Sequence, residues 1–236
     1  MKILWATTGN KLVRKPRANW NKLTAMASAR ENILLRLKES RDRRKAVTPP
    51  EPDMTAPVYA DTDQDLSKCF QEKLELVSGT VYRLQNLDAA ARQIRAMAEE
   101  EKWEAIFCLD EKLQQALDGK VDYKSSPADF ESLQVGITPC EFLIAHLGSV
   151  MVSSGKTSGR RLHVFPETHL VIAHTGQLVR YLDEALGRLH QLYPGGLPSM
   201  ITNITGPSRT ADIEKTLVKG MHGPRKLFVL LCEEPF

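Results

Sequence analysis

Ile204-Thr205-Gly206-Pro207-Ser208-Arg209-Thr210-Ala211-Asp212-Ile213-Glu214-Lys215-Thr216-Leu217-Val218-Lys219-Gly220-Met221-His222-Gly223-Pro224 is the stretch on which the reading of the fold turns. Residues 200–205, leading into it, alternate apolar and polar side chains, the pattern of a strand with two different faces. Gly206-Pro207-Ser208 breaks that strand: glycine supplies backbone freedom, proline fixes φ and withholds a donor, and serine hydrogen-bonds locally. Ser208 or Thr210 is then a candidate N-cap for a helix over 211–218, with Asp212 and Glu214 near the positive end of its dipole. Gly220 stops this helix. Gly223-Pro224 starts the turn into Lys226-Leu227-Phe228-Val229-Leu230-Leu231, an apolar run typical of a buried strand. The predicted order is strand, polar turn, short helix, turn, buried strand.

Such an order puts Thr205, Ser208 and Arg209 where the carboxyl end of a strand meets the amino end of a helix. Ligands of open α/β sheets collect there, and free backbone N–H groups favour anions. An ordinary turn whose polar residues cap the helix accounts for the same spacing. Asp212 and Glu214 already occupy the dipole's positive end, so a carboxylate gripped by Arg209 fits better than a multiply charged phosphate.

Upstream, helices and strands alternate, which argues for a mainly parallel α/β sheet flanked by helices. Ser28 and Glu31 form a capping box ahead of Ile33-Leu34-Leu35, and the helix from Ala29 runs to about Glu39 as an N-terminal helical extension. Leu66, Phe70, Leu74 and Val77 follow helical spacing, as do Leu87, Ala91, Ile94 and Ala98 behind a cap at Asn86 or Asp88. Residues 79–84, 105–109, 133–137 and 170–173 read as strands, with a short helix over 111–117. A further helix traces Leu178, Leu182, Ala185, Leu186 and Leu189 and ends at Pro194-Gly195-Gly196. Residues 148–153 and 161–165 read as a strand pair joined by a flexible hairpin. In that hairpin Gly155-Lys156-Thr157 imitates the end of a phosphate-binding loop. The required earlier glycine would fall at Val150 and a strand follows instead of a helix, so nucleotide binding is rejected.

At 236 residues, with 42% hydrophobic and 26% charged side chains, the chain has the composition of a globular protein able to bury a full core. Residues 1–22 hold Lys2, Lys11, Arg14, Lys15, Arg17 and Lys22 and no acid, and 1–25 are expected to be a dispensable arm. Pro49, Pro50, Pro52 and Pro57 form a stiff linker. The division is therefore 1–54 for arm, capped helix and linker, and 55–236 for the α/β domain. The net charge of +3 is small and spread out, so nucleic acid is not an expected partner. No apolar run is long enough to span a bilayer, and a cytoplasmic location is expected. Cys69, Cys108, Cys140 and Cys232 are widely spaced, so neither an iron–sulfur cluster nor structural zinc is encoded. Cys108 and Cys232 lie in apolar runs and read as small core residues. Among the histidines, His169 and His174 are five apart on a strand and point to opposite faces. His163, His190 and His222 lack a His-x-x-x-His partner, so metal is not expected either.

Thr205-Gly206-Pro207-Ser208-Arg209-Thr210-Ala211-Asp212-Ile213-Glu214, followed by Gly220-Met221-His222-Gly223-Pro224, closely resembles the C-terminal signature of the LUD domain family. Val135-Gly136-Ile137-Thr138, Gly148-Ser149 and Phe165-Pro166-Glu167-Thr168-His169 occur in the family's order. The resemblance extends over roughly residues 28–231, weakly in the first third and strongly in the last 100 or so residues. It implies a fold similar to the NagB/RpiA/CoA-transferase group. It also implies a cytoplasmic component of a lactate-utilization system, oxidising L-lactate to pyruvate beside iron–sulfur oxidoreductase subunits encoded in the same operon. This chain would bind substrate or partners with no cofactor of its own. The family usually shows Ala-Glu-[Thr/Ser]-Gly where this chain has Ala145-His146-Leu147-Gly148, so a carboxylate nucleophile is not expected. A stand-alone enzyme of the same fold acting on a small carboxylate or sugar phosphate is the alternative, as is a non-catalytic scaffold. The expected ligand-binding set is Thr205, Gly206, Ser208, Arg209, His222 and Gly223, approached by Ser149 and His169, for a small anionic ligand.

Overall fold

The computed structural model describes residues 28–43, 51, 59, 64–126, 130, 133–210, 218–220 and 222–236. The basic arm over 1–25, the four linker prolines and the central part of the expected helix, 211–217, lie outside the described residues. The chain divides into a unit Met1–Ala60 and a unit Asp61–Phe236.

The first unit carries helix α1 (Ala29–Asp42). Its capping box forms as expected: the Glu31 N–H donates to Ser28 Oγ at 3.3 Å, and the Ser28 N–H donates to Glu31 Oε2 at 2.7 Å. Such a cap stabilises a helix start by about 1 kcal/mol. No side chain of α1 is buried.

In the second unit the elements are α2 (Leu66–Leu76), β1 (Thr80–Leu84), α3 (Leu87–Glu101), β2 (Ile106–Cys108), α4 (Glu111–Leu117), β3 (Val135–Pro139), β4 (Phe142–Ile144) and β5 (Ser149–Ser153). They continue with β6 (Thr168–His174), β7 (Leu178–Val179), α5 (Leu182–Leu192), β8 (Ile201–Ile204), β9 (Arg209–Thr210), β10 (Val218–Lys219) and β11 (Lys226–Cys232). Each of α2, α3 and α4 is started by a side-chain cap, from Asp65, Asn86 and Asp110.

The main sheet runs β1-β11-β6-β3-β2, and every pairing in it is parallel. Its central strands are apolar on both faces because both faces are covered. On one face Leu170, Ile172, Leu230 and Cys232 pack with Ala91, Ile94 and Met97 of α3 and Leu113 and Leu117 of α4. On the other, Val171, Ala173, Val229 and Leu231 pack with Phe70 and Leu74 of α2 and with Leu143, Val150 and Val152 of a second sheet. Phe70 and Leu74 are fully buried, and each contributes about 1.5–3 kcal/mol by leaving water. The second sheet runs β7-β4-β5-β8, and Ala185 and Leu189 of α5 pack on its Phe142, Ile144 and Met151.

Four expectations change. Strand β8 does not enter the parallel sheet; it is the antiparallel edge of the second sheet, beside β5. Of the helix expected over 211–218 only Val218 lies among the described residues, and it is a strand residue: Val218 pairs with Thr210, and Lys219 with Arg209, as two antiparallel strands. A short apolar pattern does not distinguish helix from strand, and here cross-strand pairing wins. Residues 161–165 are a turn instead of a strand: the N–H groups of Val164 and Phe165 both donate to the Arg161 carbonyl. Leu178 belongs to β7 and not to the helix that follows it.

Candidate functional site

The predicted ligand-binding residues converge from separate elements. Thr205, Gly206, Ser208, Arg209, His222 and Gly223 all line one pocket of about 370 Å3, together with Arg160 and His163 from the other wall. Ser208 holds the two arms of the site together, in place of the N-cap role expected of it. Its N–H donates to the Pro224 carbonyl at 2.9 Å, and its own carbonyl accepts from the Gly220 N–H at 3.1 Å. Its hydroxyl accepts from the His222 N–H at 3.4 Å. Gly206 has φ +81°, and a Cβ there would stand 2.5 Å from the Val77 carbonyl oxygen. That combination of left-handed backbone and close approach admits only glycine. The sharp turn after β8 therefore rests on the end of α2.

Ser149 and His169 lie behind the lining. The hydroxyls of Ser149 and Thr205 hydrogen-bond at 2.7 Å, fixing the turn to β5. His169 is fully buried, with Nε2 2.7 Å from Thr138 Oγ1 and its ring centroid 5.7 Å from that of His163. His163 is 3% exposed and neither of its ring nitrogens has a hydrogen-bond partner in the described residues. Burial pushes the His163 imidazole below its usual range; the Gly159 backbone opposes this without a well-formed hydrogen bond. Burial, and then the neighbouring His163, take His169 down to about 3. Both rings are uncharged near neutral pH.

Electrostatically the pocket is one-sided. Two guanidinium groups, Arg160 and Arg209, line it, and no carboxylate does among the described residues. Arg209 is exposed and has no ion pair with a described residue, while Arg160 is held by the Ser199 hydroxyl. Asp212 and Glu214, expected near Arg209, lie outside the described residues.

A comparison with protein families matches residues 67–232 to the LUD domain. The chain belongs to the LUD domain family. Lactate utilization protein C of Geobacillus kaustophilus (strain HTA426) is 41% identical over 98 residues, 41% of each chain. Lactate utilization protein C of Bacillus subtilis (strain 168) is 38% identical over 106 residues, 44% of each chain. The chain thus spans under half the length of these curated relatives. The crystal structure of a DUF162 family protein from Deinococcus radiodurans aligns with a TM-score of 0.53 at 15% identity, covering 71% of this chain and 96% of that one. It shares the fold.

This LUD domain has a second, larger cavity that sequence reasoning missed. A cleft of about 880 Å3 opens at the carboxyl ends of β2, β3 and β6, lined by Asp110, Cys140 and His174 among others. Open parallel sheets hold ligands in that position. Its far wall is the 154–160 loop, which is tied down instead of forming a free hairpin. Thr157 Oγ1 donates to Asp110 Oδ2 at 2.9 Å and accepts from the Glu111 N–H at 3.2 Å. A Cβ on Gly155 would lie 2.4 Å from the Tyr193 hydroxyl oxygen, so the loop packs directly on that ring. Behind the wall the buried Glu141 carboxylate accepts from Ser153 Oγ at 2.5 Å and the Tyr193 hydroxyl at 2.7 Å, and pairs with Lys156 Nζ at 3.5 Å. Burial and that hydrogen bond raise the Tyr193 phenol above its usual range. Lys156 and Thr157, dismissed as the end of a false phosphate loop, are structural anchors of this cleft.

His146, where the family usually has glutamate, lines neither cavity. Its Nδ1 lies 3.1 Å from the Arg180 carbonyl oxygen and its ring packs edge-on against Tyr181. All four cysteines are free and buried, and burial holds the thiols of Cys108 and Cys140 at about 12, so both stay protonated. Among the described residues no group of three or more His, Cys, Asp or Glu side chains could hold a metal ion, and no helix is long and apolar enough to cross a membrane.

Proposed function

We propose that this LUD domain serves lactate utilization as a component that binds a small organic acid in the pocket between Arg160, Arg209 and His222. Electrons would be carried by iron–sulfur partner subunits in the cytoplasm. The observation that carries this reading is the charge of the pocket: two guanidinium groups face a cavity with no lining carboxylate among the described residues. A guanidinium grips a carboxylate through two parallel hydrogen bonds, a planar fork that lysine does not reproduce. The names of the Geobacillus and Bacillus relatives suggest the acid, lactate. The pocket, of about 370 Å3, is larger than a three-carbon acid, so bridging water would share it with such a ligand.

Growth on lactate tests the reading. In a strain lacking its own copy, Arg209→Ala and Arg209→Lys should both fail to restore growth while protein abundance and melting temperature hold. Full complementation by Arg209→Ala at normal abundance rules out this side chain as the anchor.

A further inference from the structure

Strand β8 is the edge of the second sheet: it pairs with β5 on one side and with no described strand on the other. The Ser154 N–H donates to the Met200 carbonyl at 3.0 Å, which fixes the phase of that ladder. Antiparallel pairs alternate, so Thr202 and Ile204 turn their backbone groups toward β5, while Asn203 turns its N–H and C=O outward. Neither outward group of Asn203 has a hydrogen bond with a described residue. Successive side chains of a strand point to opposite faces, yet Thr202, Asn203 and Ile204 all line the small pocket. What they share is the outer edge of the strand, so the pocket is a groove beside that edge. Natural edge strands are commonly blunted by lysine, proline or a bulge. Strand β8, Ile-Thr-Asn-Ile, has no charged residue and no proline, and Thr202 and Asn203 are exposed.

An open edge of this kind accepts an extended segment as an additional strand, with affinity from main-chain hydrogen bonds and selection from the flanking side chains. Here the flanking charge is positive: Arg160 and Arg209 line the groove and no carboxylate does among the described residues. A second copy pairing edge to edge would set these guanidinium groups against their own counterparts, and like charges opposed across a strand pair are destabilising. We infer that the groove beside β8 is a strand-addition site for an extended acidic segment of a partner protein, its backbone pairing with Asn203 and its carboxylate meeting the arginines. The inference rests on the reading of this pocket as an anion site and adds the partner, whose carboxylate competes with a free acid for the same guanidinium groups.

The probe is a fluorescent, end-blocked peptide, Thr-Val-Glu-Val-Thr, with Thr-Val-Gln-Val-Thr as its uncharged match, titrated into the full chain by anisotropy. The glutamate peptide should bind about tenfold more tightly than the glutamine one, the worth of a hydrogen bond to a charged group, and L-lactate should displace it. Asn203→Pro deletes an outward N–H that β5 does not use, a change that edge strands accept. It should weaken the glutamate peptide about tenfold and leave L-lactate affinity, measured by calorimetry, unchanged. Should that variant misfold or lose both ligands, amide hydrogen exchange on the unsubstituted protein decides: bound peptide should slow exchange of the Asn203 N–H. No peptide binding, equal binding of the two peptides, or an unprotected Asn203 amide, with lactate still bound, overturns strand addition and leaves the anion pocket standing. A concentration-dependent dimer that Asn203→Pro dissolves makes a second copy the occupant and overturns the acidic partner. Peptide binding without lactate binding upholds the strand site and overturns the small acid, and binding of neither overturns both.

Discussion

The two cavities of this LUD domain lie toward opposite ends of the parallel strands and treat their polar groups in opposite ways. At the carboxyl ends, the cleft's Asp110 and the Glu141 behind its wall are saturated by protein donors: Leu113 N–H and Thr157 for the first, Ser153, Tyr193 and Lys156 for the second. In the smaller pocket, by contrast, the ring nitrogens of His163 have no well-formed hydrogen bond, and Arg209 has no ion pair, among the described residues. Saturated buried groups make a framework. Unsaturated ones are available to a ligand at a standing cost to stability. Cavity size alone would have chosen the cleft, and hydrogen-bond accounting chooses the pocket.

If the cleft network is structural, breaking it must cost most. Glu141→Ala leaves Ser153 and Tyr193 without their acceptor, and Lys156 turns to the solvent of the cleft. We expect a loss of about 3 kcal/mol and, for a domain of this size, a melting temperature lower by about 10 °C. Calorimetric melting checks this; an unchanged transition would remove the distinction between the two regions.

Acid should reach the buried histidines next. His163 and His169 bind a proton less readily in the folded protein than in the unfolded chain. Stability is therefore full above the unfolded pKa of about 6.5 and falls as the pH drops, for His169 down to its folded value of about 3. Urea unfolding across this window should show a loss of a few kcal/mol. His169→Leu should flatten that acid limb, and a limb unaltered by the substitution would assign it to the carboxylates instead.

Thr157→Val is smaller again. It removes the hydroxyl that joins Asp110 to the loop, and about 1–2 kcal/mol is expected because one partner is charged. Urea midpoints measure it, and a change under 0.5 kcal/mol or so would return the loop to the free hairpin that its glycines suggest.

Arg209→Ala should have the smallest effect on stability, within about 0.5 kcal/mol, as for surface substitutions generally. A large fall in melting temperature would mean that Arg209 is a structural group like Glu141, and the contrast between framework and site would fail.

Local chemistry was legible in the sequence wherever a few neighbouring residues suffice. The cap at Ser28, the cap at Asn86 (one of two candidates with Asp88), the span of the short fourth helix, the apolar runs of the central strands, and the parallel α/β class all follow from hydrogen bonds and periodicities that close within one element. The grouping of Thr205, Gly206, Ser208, Arg209, His222 and Gly223 was also readable, because one tight turn and its return arm carry them all. Non-local pairing was not. Arg209 and Thr210 had the polarity of a helix start until Val218 and Lys219 came to lie against them, and residues 201–204 could join either sheet until β5 offered its edge. The same holds for the state of buried polar groups. His163 in the sequence was one histidine with no spaced partner. Only the packing of Leu162, His169 and the turn after Arg161 takes it out of water and leaves its ring nitrogens without a well-formed hydrogen bond among the described residues. Burial is a property of the assembled fold, and so is the availability of a polar atom within it.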